Sequence, residues 1–261
     1  MPHNSHRSPS LALVAACLAA GLLMTTPLTA AEPVRIADSA EYFPDRIGTR
    51  WQYRGQISEG ALQTIDNKFF ANVSEVMGTK KLNGVTVTVF HDTNPGNHGE
   101  SDSYYRRDAV GMVYYGSDPG TPLEKQIVPY QIVRFPVTIP STFQQFDRKG
   151  LDFGSDMDRD GVNETVDMVG TTSVIGRESI TVPSGTYPDA IKVEARMTMT
   201  IHLSDGDKPA RGTDVMTAWF VKGIGLVKYF ERQELSASKN DRGLVTEISE
   251  ELEEFTPGSA P

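Results

Sequence analysis

The chain is nearly free of cysteine. Cys17 is the single cysteine among 261 residues, and it lies in the N-terminal segment. If that segment is removed, neither a disulfide bond nor a thiolate metal site can form in the rest of the chain. The stability of the fold must therefore come from burial of a hydrophobic core, and any bound metal must be held by ligands other than sulfur.

Basic residues are also scarce. The 25 Lys and Arg are outnumbered by 34 Asp and Glu, which gives a formal net charge of −9. A nucleic-acid-binding protein needs an excess of positive charge to neutralise phosphates. We therefore expect no nucleic-acid partner, and we interpret the acidic balance as a contribution to solubility.

Long apolar runs are rare, and the clearest one is N-terminal. Arg7 precedes the apolar run Leu11–Met24, and small residues follow it. This order is typical of a secretory signal peptide cut after Ala30 or Ala31. The run is shorter than the roughly 18 apolar residues of a membrane-spanning helix, and no later stretch is apolar enough to cross a bilayer. We therefore predict a signal peptide at 1–31, a single β-rich domain at 32–261, no transmembrane helix in the mature chain, and export to the periplasm or the extracellular space.

A lipid anchor is the alternative at the N-terminus. The sequence Val14-Ala15-Ala16-Cys17 fits a lipoprotein cleavage site, at which Cys17 would become the lipidated first residue. Apolar sequence continues from Leu18 to Met24, where a lipoprotein normally has a polar tether. The secretory interpretation is therefore favoured over anchoring through Cys17.

Familiar catalytic motifs are missing as well. Beyond residue 31 the histidines are His91, His98 and His202, and the chain contains neither Gly-x-Ser-x-Gly nor His-Glu-x-x-His. Hydrolysis by paired carboxylates is the enzymatic alternative that an acidic composition leaves open. We predict a non-enzymatic protein, and we assign no catalytic residue and no organic cofactor.

What the chain has in abundance is alternation of apolar and polar residues. In Ile191–Leu203 seven apolar residues alternate strictly with polar ones, and a similar pattern runs through 47–57. Asn83-Gly84 between two alternating segments indicates a tight hairpin. The fold class predicted is mostly β with few helices, built as a single antiparallel meander. Residues 244–255 fit both helical and strand spacing, and we favour a final strand because they follow a turn-forming segment.

Several polar or irregular segments separate these strands. The prolines between 119 and 140 predict edge strand, turn or irregular structure, because proline cannot donate to a ladder. We expect His91–Asp102 to be a solvated loop rather than a metal site, since its histidines and carboxylates lack the spacing of ligand pairs. The glutamates of 244–255 are interpreted as a solvated face.

Trp51 and Tyr53 occupy the apolar positions of the first long strand. They fit two roles, an aromatic platform for a ligand or large side chains that fill the interior of the sheet, and we favour the interior.

The densest chemical signal is the acidic segment between Gly154 and Asp167. It matches the spacing of a 12-residue calcium loop, whose ligands come from positions one, three, five, seven, nine and twelve. The predicted ligands in that order are Asp156, Asp158, Asp160, the carbonyl of Val162, Glu164 and Asp167, with Gly161 at the turn. The five carboxylates repel one another unless a cation lies among them. The segment resembles an EF-hand loop, but position twelve is Asp rather than Glu and the flanking sequence reads as strand. We predict a structural calcium ion.

Three phrases spread over the chain carry a family resemblance: Tyr42-Phe-Pro44 with Gly48–Tyr53, then Val182–Tyr187, then Trp219–Val227. Together they resemble a group of uncharacterised exported bacterial β proteins. More distantly, a long meander behind a signal peptide is similar to the lipoprotein-localisation-factor superfamily. That resemblance implies a sheet curved into a half-barrel or barrel whose concave face holds acyl chains.

These inferences lead to one functional hypothesis and two alternatives. The protein is expected to be non-enzymatic, with a structural calcium site and a concave face that binds an apolar ligand such as a lipid or a lipoprotein acyl chain. That face would include Trp51, Tyr53, Met197 and Met199. The alternatives are a structural or adhesion module that contacts another envelope protein, and a carboxylate-based hydrolase.

Overall fold

The computed structural model describes residues 32–62, 64, 66–238 and 242–259. The predicted signal peptide 1–31, with Cys17, lies outside the described residues. Contacts group Pro33–Pro261 into one compact unit, while the division into a signal peptide and a mature domain stays a prediction. Strands account for 66% of the described residues and helices for 5%, which confirms the mostly β fold class.

Strands dominate the part of the chain that the structure describes, and helical segments are short. One α-helix, α1, covers Glu124–Ile127, and 3₁₀ turns cover Ser39–Tyr42 and Pro95–Asn97. The strands are β1 Val34–Ile36, β2 Arg50–Gly60, β3 Asp66–Leu82, β4 Val85–Asp92, β5 Ser101–Asp108, β6 Gly111–Asp118, β7 Tyr130–Arg134, β8 Val137–Ile139, β9 Ser141–Asp152, β10 Thr165–Val182, β11 Gly185–His202, β12 Ala210–Val221, β13 Gly225–Leu235 and β14 Leu244–Thr256.

Twelve of these strands form a single antiparallel sheet in the order β7-β6-β5-β4-β3-β2-β14-β13-β12-β11-β10-β9. Sequential hairpins build each half, and pairing of β14 with β2, from Val245 opposite Gly60 to Thr256 opposite Arg50, joins the halves. The remaining strands, β1 and β8, pair in a small separate sheet. The two edges of the large sheet, β7 and β9, are therefore close neighbours in sequence.

These two edges approach each other, so the sheet nearly closes into a barrel. The rings of Tyr130 on β7 and Phe146 on β9 lie 5.2 Å apart between centroids. Gln145 Nε2 on β9 donates to the carbonyl of Gln131 on β7 over 3.3 Å. The Gln126 side chain of α1 exchanges two hydrogen bonds of 2.8 and 3.0 Å with the backbone of Asp152. The curved single sheet expected from the sequence is thus confirmed.

The inner face of the curved sheet carries the core. Trp51, Tyr53 and Ile57 alternate along β2 and are buried, and Val227 and Leu252 on neighbouring strands are fully enclosed. Complete burial of one such apolar side chain stabilises the fold by roughly 1.5–3 kcal/mol. Trp51 and Tyr53 therefore lie in the interior of the sheet.

Most turn and strand predictions are confirmed. Asn83 and Gly84 have φ of 49° and 85° and connect β3 to β4, as a two-residue hairpin with positive φ at both positions requires. Residues 244–256 are strand β14. The proline-rich region supplies α1, the edge strand β7 and the separate strand β8, in agreement with its predicted irregular or edge character.

Two details of the sequence interpretation are wrong. The glutamates of β14 are not all solvated, because Glu250 is only 6% exposed. The strand predicted from Ile47 begins later, at Arg50, since Gly48 adopts a φ of 78° that a strand cannot continue, and Ile47 is exposed.

Candidate functional site

The acidic loop connects β9 to β10, two antiparallel strands paired from Ser141 opposite Val174 to Asp152 opposite Thr165. No helix flanks the loop in the described residues, as the sequence indicates. Gly161, with a φ of 95°, and Arg159, with a φ of 66°, make its sharp turn.

Three of the predicted ligands come together in this loop. Carboxylate oxygens of Asp156, Asp158 and Glu164 lie within 4.8 Å of one another. Glu164 is fully buried, whereas the two aspartates are partly exposed. Three clustered carboxylates are hard oxygen donors of the kind that calcium prefers, so these residues fit the predicted ion by their chemistry.

Backbone amides orient the aspartates of the loop. Asp156 accepts hydrogen bonds from the N–H groups of Arg159 at 2.6 Å, Asp160 at 3.1 Å and Gly161 at 2.8 Å. Asp158 Oδ2 accepts from the N–H of Asp205 at 3.0 Å. This last hydrogen bond is the main reason why the pKa of Asp158 lies below its ordinary value. Asp158 therefore stays ionised at neutral pH.

Glu164 ties the loop to the hairpin turn between β11 and β12. Its Oε1 accepts from the N–H groups of Met157 at 3.0 Å and Asp158 at 3.2 Å, and its Oε2 accepts from the N–H of Ser204 at 2.8 Å. The Ser204 hydroxyl in turn donates to Asp160 Oδ2 over 2.9 Å. The two loops are thus one connected unit at this end of the sheet.

The other predicted ligands are placed differently. Asp167 lies on β10, where its Oδ1 accepts from the N–H of Gly150 at 2.9 Å and its Oδ2 lies 3.4 Å from His202 Nε2. The hydrogen bond from Gly150 is the main cause of a lowered pKa for Asp167. Val162 has an exposed side chain, and its N–H donates to Asp160 Oδ1 over 2.9 Å. The structure therefore groups Asp156, Asp158 and Glu164, and the predicted ligands Asp160 and Asp167 are outside this group.

A cavity of about 700 Å³ lies against the inner face of the sheet. Three of the four residues predicted for an internal ligand face, Trp51, Tyr53 and Met197, line it. Met199 is outside the lining and packs in the neighbouring core cluster, close to Gly212 of β12. Aromatic side chains form a large part of the wall: Tyr42, Phe43, Trp51, Tyr53, Phe90, Tyr105, Tyr114, Tyr130, Phe220 and Tyr229.

Aromatic rings follow one another across neighbouring strands of this wall. Centroid distances are 6.1 Å for Trp51 and Phe90, 5.3 Å for Phe90 and Tyr105, 5.2 Å for Tyr105 and Tyr114, and 5.5 Å for Tyr114 and Tyr130. The row then crosses from β7 to β9 through the contact of Tyr130 with Phe146. The same side chains therefore line the cavity and hold the edges of the sheet together.

Carboxyl groups form a second part of the wall, and the sequence analysis missed them. Asp92, Glu100, Glu231 and Glu250 line the cavity, together with the amides Asn72, Gln145 and Gln233. The available signal was Glu250, which stands on β14 between Ile248 and Leu252 in the alternation that faces inward. A carboxyl on an otherwise apolar strand face indicates a built interior site.

Glu250 is held between two elements. Its Oε1 accepts from the N–H of Gly96 at 2.9 Å, and its Oε2 accepts from Asn72 Nδ2 at 3.4 Å. Asn72 Nδ2 also donates to Asp92 Oδ1 over 3.3 Å. Burial raises the pKa of Glu250 to about 7 and also raises the pKa of Asp92. Glu250 is therefore partly protonated near neutral pH.

A second pair of acids lies on the neighbouring strands. Glu231 accepts from the hydroxyl of Tyr229 and from Gln233 Nε2, both at 2.6 Å. The pKa of Asp214 is raised to about 8, mainly by burial and secondly by the charge of Glu231. One member of this pair therefore keeps its proton at neutral pH.

Two polar side-chain atoms in the cavity wall, Thr172 Oγ1 and Gln145 Oε1, lack a hydrogen-bond partner among the described residues. Thr172 is 1% exposed and lines the cavity, and its Oγ1 makes no hydrogen bond. A buried hydroxyl without a partner costs free energy, so the structure leaves here a hydrogen-bonding position that an occupant can fill.

No helix in the described ranges is both long enough and apolar enough to cross a membrane. No protein-family model matches the chain, and no curated protein matches it. Among solved structures, a presumed exported protein with a YMCC-like fold from Bacteroides fragilis is similar at 14% identity and a TM-score of 0.35. A presumed lipoprotein from Parabacteroides distasonis is similar at 17% identity and a TM-score of 0.36. Each match covers 82% of this chain and 98% of the other, and likenesses of this strength assign neither a family nor a function.

Proposed function

We propose that this is an exported, non-enzymatic binding protein that holds a ligand with an apolar body in the cavity of its curved sheet. The observation that carries the proposal is the cavity of about 700 Å³, lined by ten aromatic side chains. Small-molecule sites in proteins usually measure about 300–1,000 Å³ and have mostly apolar walls with a few polar groups. Both the size and the lining support a bound organic ligand.

The apolar part of the wall suits a lipid or an acyl chain. Trp51, Tyr53 and Met197 offer large apolar surfaces, and methionine adapts its shape to different occupants. An alkyl chain removed from water contributes about 0.8 kcal/mol per buried methylene. Met199 belongs to the packed core beside this site.

Calcium is the second part of the proposal. Asp156, Asp158 and Glu164 would hold the ion, because their carboxylates already lie within 4.8 Å of one another. Bound calcium would offset the mutual repulsion of these groups. Since Glu164 also binds the backbone of Ser204, the role supported for the ion is to stabilise the loops at this end of the sheet.

A neutral alkyl probe tests the cavity. Trp51 lines the cavity, so its fluorescence can follow a titration with octyl glucoside kept below its micelle concentration. We expect saturable binding of one probe per chain. In the variant Ala195→Phe a large side chain enters the cavity from its wall, and binding should fall at least tenfold. The matched control Ala71→Phe places the same ring on an exposed position of β3 and should leave binding unchanged.

The two alternatives predict other outcomes. An adhesion module would bind the probe no better in the wild type than in Ala195→Phe. A carboxylate hydrolase would use the buried acids, and the closeness of Asp214 to Glu231 is the feature that would serve it. Release of octanol from the glucoside during the titration would support that alternative and contradict a purely binding role.

A further inference from the structure

The charged side chains that line the cavity are acidic, apart from His98. Asp92, Glu100, Glu231 and Glu250 line it, and its lining contains no Lys or Arg. His98 is the one lining side chain able to carry a positive charge, and it lies exposed in the loop after β4. The interior therefore offers an occupant several carboxyl groups and no cation of its own.

These carboxyl groups are close in the fold. Asn72 Nδ2 lies between Asp92 Oδ1 at 3.3 Å and Glu250 Oε2 at 3.4 Å, so two acids share one amide donor. Glu250 stands opposite Tyr229 in the pairing of β14 with β13, and the Tyr229 hydroxyl donates to Glu231. The acids thus form a connected polar strip across β4, β3, β14 and β13.

The hydrogen bonds of the polar strip bring it no positive charge, and the neighbouring His91, outside the cavity lining, contacts Asp102 at 2.9 Å and Glu100 at 3.5 Å. A buried carboxylate is costly unless it is paired with a positive charge, and the hydrogen bonds just described come from neutral amides and a hydroxyl. Burial accordingly holds the pKa of Glu250 at about 7 and raises that of Asp92. A cation within the cavity would favour the ionised forms and be attracted in return.

The aromatic wall favours the same kind of occupant. The faces of Trp and Tyr rings attract cations through their quadrupole, and the attraction strengthens when the site is removed from water. Trp51, Tyr53 and Tyr229 line the cavity together with Glu250. Rings and carboxyl groups in one cavity wall form the arrangement that recognises ammonium groups.

A buried hydroxyl at the cavity, that of Thr172, indicates that the cavity binds a ligand. Thr172 lies on β10, away from the polar strip, and its hydroxyl is buried against the cavity without a hydrogen-bond partner. A ligand with a polar group would satisfy it.

We propose that the ligand is an organic cation, an amine or quaternary ammonium group carried on an apolar body, bound between the polar strip and the aromatic wall. This inference rests on the proposed function, because it specifies the chemistry of the ligand for the same cavity.

Three probes with one alkyl chain and different head groups test the inference. Octyltrimethylammonium, octyl glucoside and octyl sulfate are each titrated below their micelle concentrations at pH 8. We expect the cation to bind at least tenfold more tightly than the glucoside, and the sulfate to bind most weakly. Equal binding of all three, or tightest binding of the glucoside, would overturn the cation inference and leave the proposed function intact. Binding of none would overturn both.

Matched variants separate the cavity from the acidic surface. Glu250→Gln and Asp92→Asn should each lower affinity for the ammonium probe about tenfold without changing affinity for the glucoside. Glu254→Gln, at an exposed position of the same strand β14, should change neither. Loss of ammonium binding in Glu254→Gln alone would show surface attraction and contradict the inference. If Glu250→Gln does not fold, the comparison of the three probes on the wild type decides.

Discussion

Gly96 donates its backbone N–H to Oε1 of Glu250 over 2.9 Å, and this bond holds the loop between β4 and β5 against the inner face of β14. Gly96 is buried, has a φ of 57°, and lies so close to Ile248 that an added Cβ would come within 3.2 Å of its Cδ1. A glycine at this position therefore lets the loop approach the cavity wall.

We predict that Glu250→Ala releases this loop. Without the carboxyl acceptor, the Gly96 N–H should exchange its hydrogen with solvent at least tenfold faster, because the buried amide loses its partner. Hydrogen exchange followed by mass spectrometry measures the effect. The exposed Glu254 on the same strand supplies the control, and Glu254→Ala should leave the exchange rate unchanged. If the Gly96 amide exchanges at the same rate in Glu250→Ala as in the wild type, the hydrogen bond to Glu250 does not hold the loop.

The buried acids should make stability fall as the pH rises. The pKa of Glu250 is raised by burial from an ordinary 4.5 to about 7, so the folded state holds more protons than the unfolded state between these values. The stabilising contribution is complete below about pH 4.5 and is lost as the pH rises through about 7. The largest loss expected from this single group is about 3 kcal/mol, since one pKa unit corresponds to about 1.4 kcal/mol.

Chemical unfolding between pH 5 and pH 8 measures this dependence. In Glu250→Gln the decline in the free energy of unfolding should be smaller, because the titrating group is gone. Asp214, whose pKa is about 8, should continue the decline at higher pH. Identical pH profiles for the wild type and Glu250→Gln would contradict the burial of an ionisable carboxyl at this position.

The structure of the acidic loop predicts which carboxylates calcium binding requires. Calcium that binds only the folded chain should raise the free energy of unfolding by roughly 2.7 kcal/mol at 100 times the Kd. Asp156→Asn and Asp158→Asn should abolish this gain, because both residues belong to the carboxylate group. Asp167→Asn should retain it, because the Asp167 carboxylate binds Gly150 and His202 instead.

Thermal unfolding with calcium and with a chelator distinguishes these variants. For a domain of this size, each kcal/mol corresponds to a shift of about 2–4 °C in the midpoint. If millimolar calcium does not shift the thermal unfolding midpoint of the wild type, the protein has no structural calcium site. Loss of the shift in Asp167→Asn would instead restore the ligand set expected from the loop spacing.

The contact between the edge strands β7 and β9, called the seam here, should depend on Phe146. This residue is 3% exposed, and its ring packs edge-to-face against Tyr130 across the two edge strands. Phe146→Ala should lower the free energy of unfolding by about 3–5 kcal/mol, the usual cost of removing a buried ring. Phe69, which is 81% exposed, provides the control, and Phe69→Ala should change stability by less than about 0.5 kcal/mol. Urea unfolding curves of the two variants measure these changes. Similar losses in the free energy of unfolding would contradict a closed seam.

The fold class could be predicted because each strand carries its own pattern. The strict alternation of Ile191–Leu203 and the Asn83-Gly84 turn are local features, and both appear in the structure as expected. Pairing of β14 with β2 and the meeting of β7 with β9 are long-range relationships that no local pattern encodes. A sheet curved into a half-barrel or barrel was expected from the resemblance, and the structure identifies β7 and β9 as the strands that meet at its near closure.

The proposed calcium ligands could be predicted from the sequence where they follow one another along the chain. Asp156, Asp158 and Glu164 belong to one loop, whereas Asp167 is removed from it by the start of β10 at Thr165.

The cavity is different, because its polar groups come from many strands. On β3 the apolar residues Phe69 and Ala71 are exposed and the buried position is Asn72, which is 2% exposed. A polar side chain that faces inward reverses the usual pattern, and its partner Glu250 lies far away in sequence.

A crystal structure with a bromine-tagged octyl glucoside would show directly where the ligand binds. The tag lies at the end of the alkyl chain, and its anomalous scattering locates it without reference to the protein. The account predicts a peak inside the cavity, among Trp51, Tyr53 and Met197. A cavity without a peak, or peaks confined to the outer surface of the sheet, would contradict the assignment of this protein as a carrier of a ligand within its sheet.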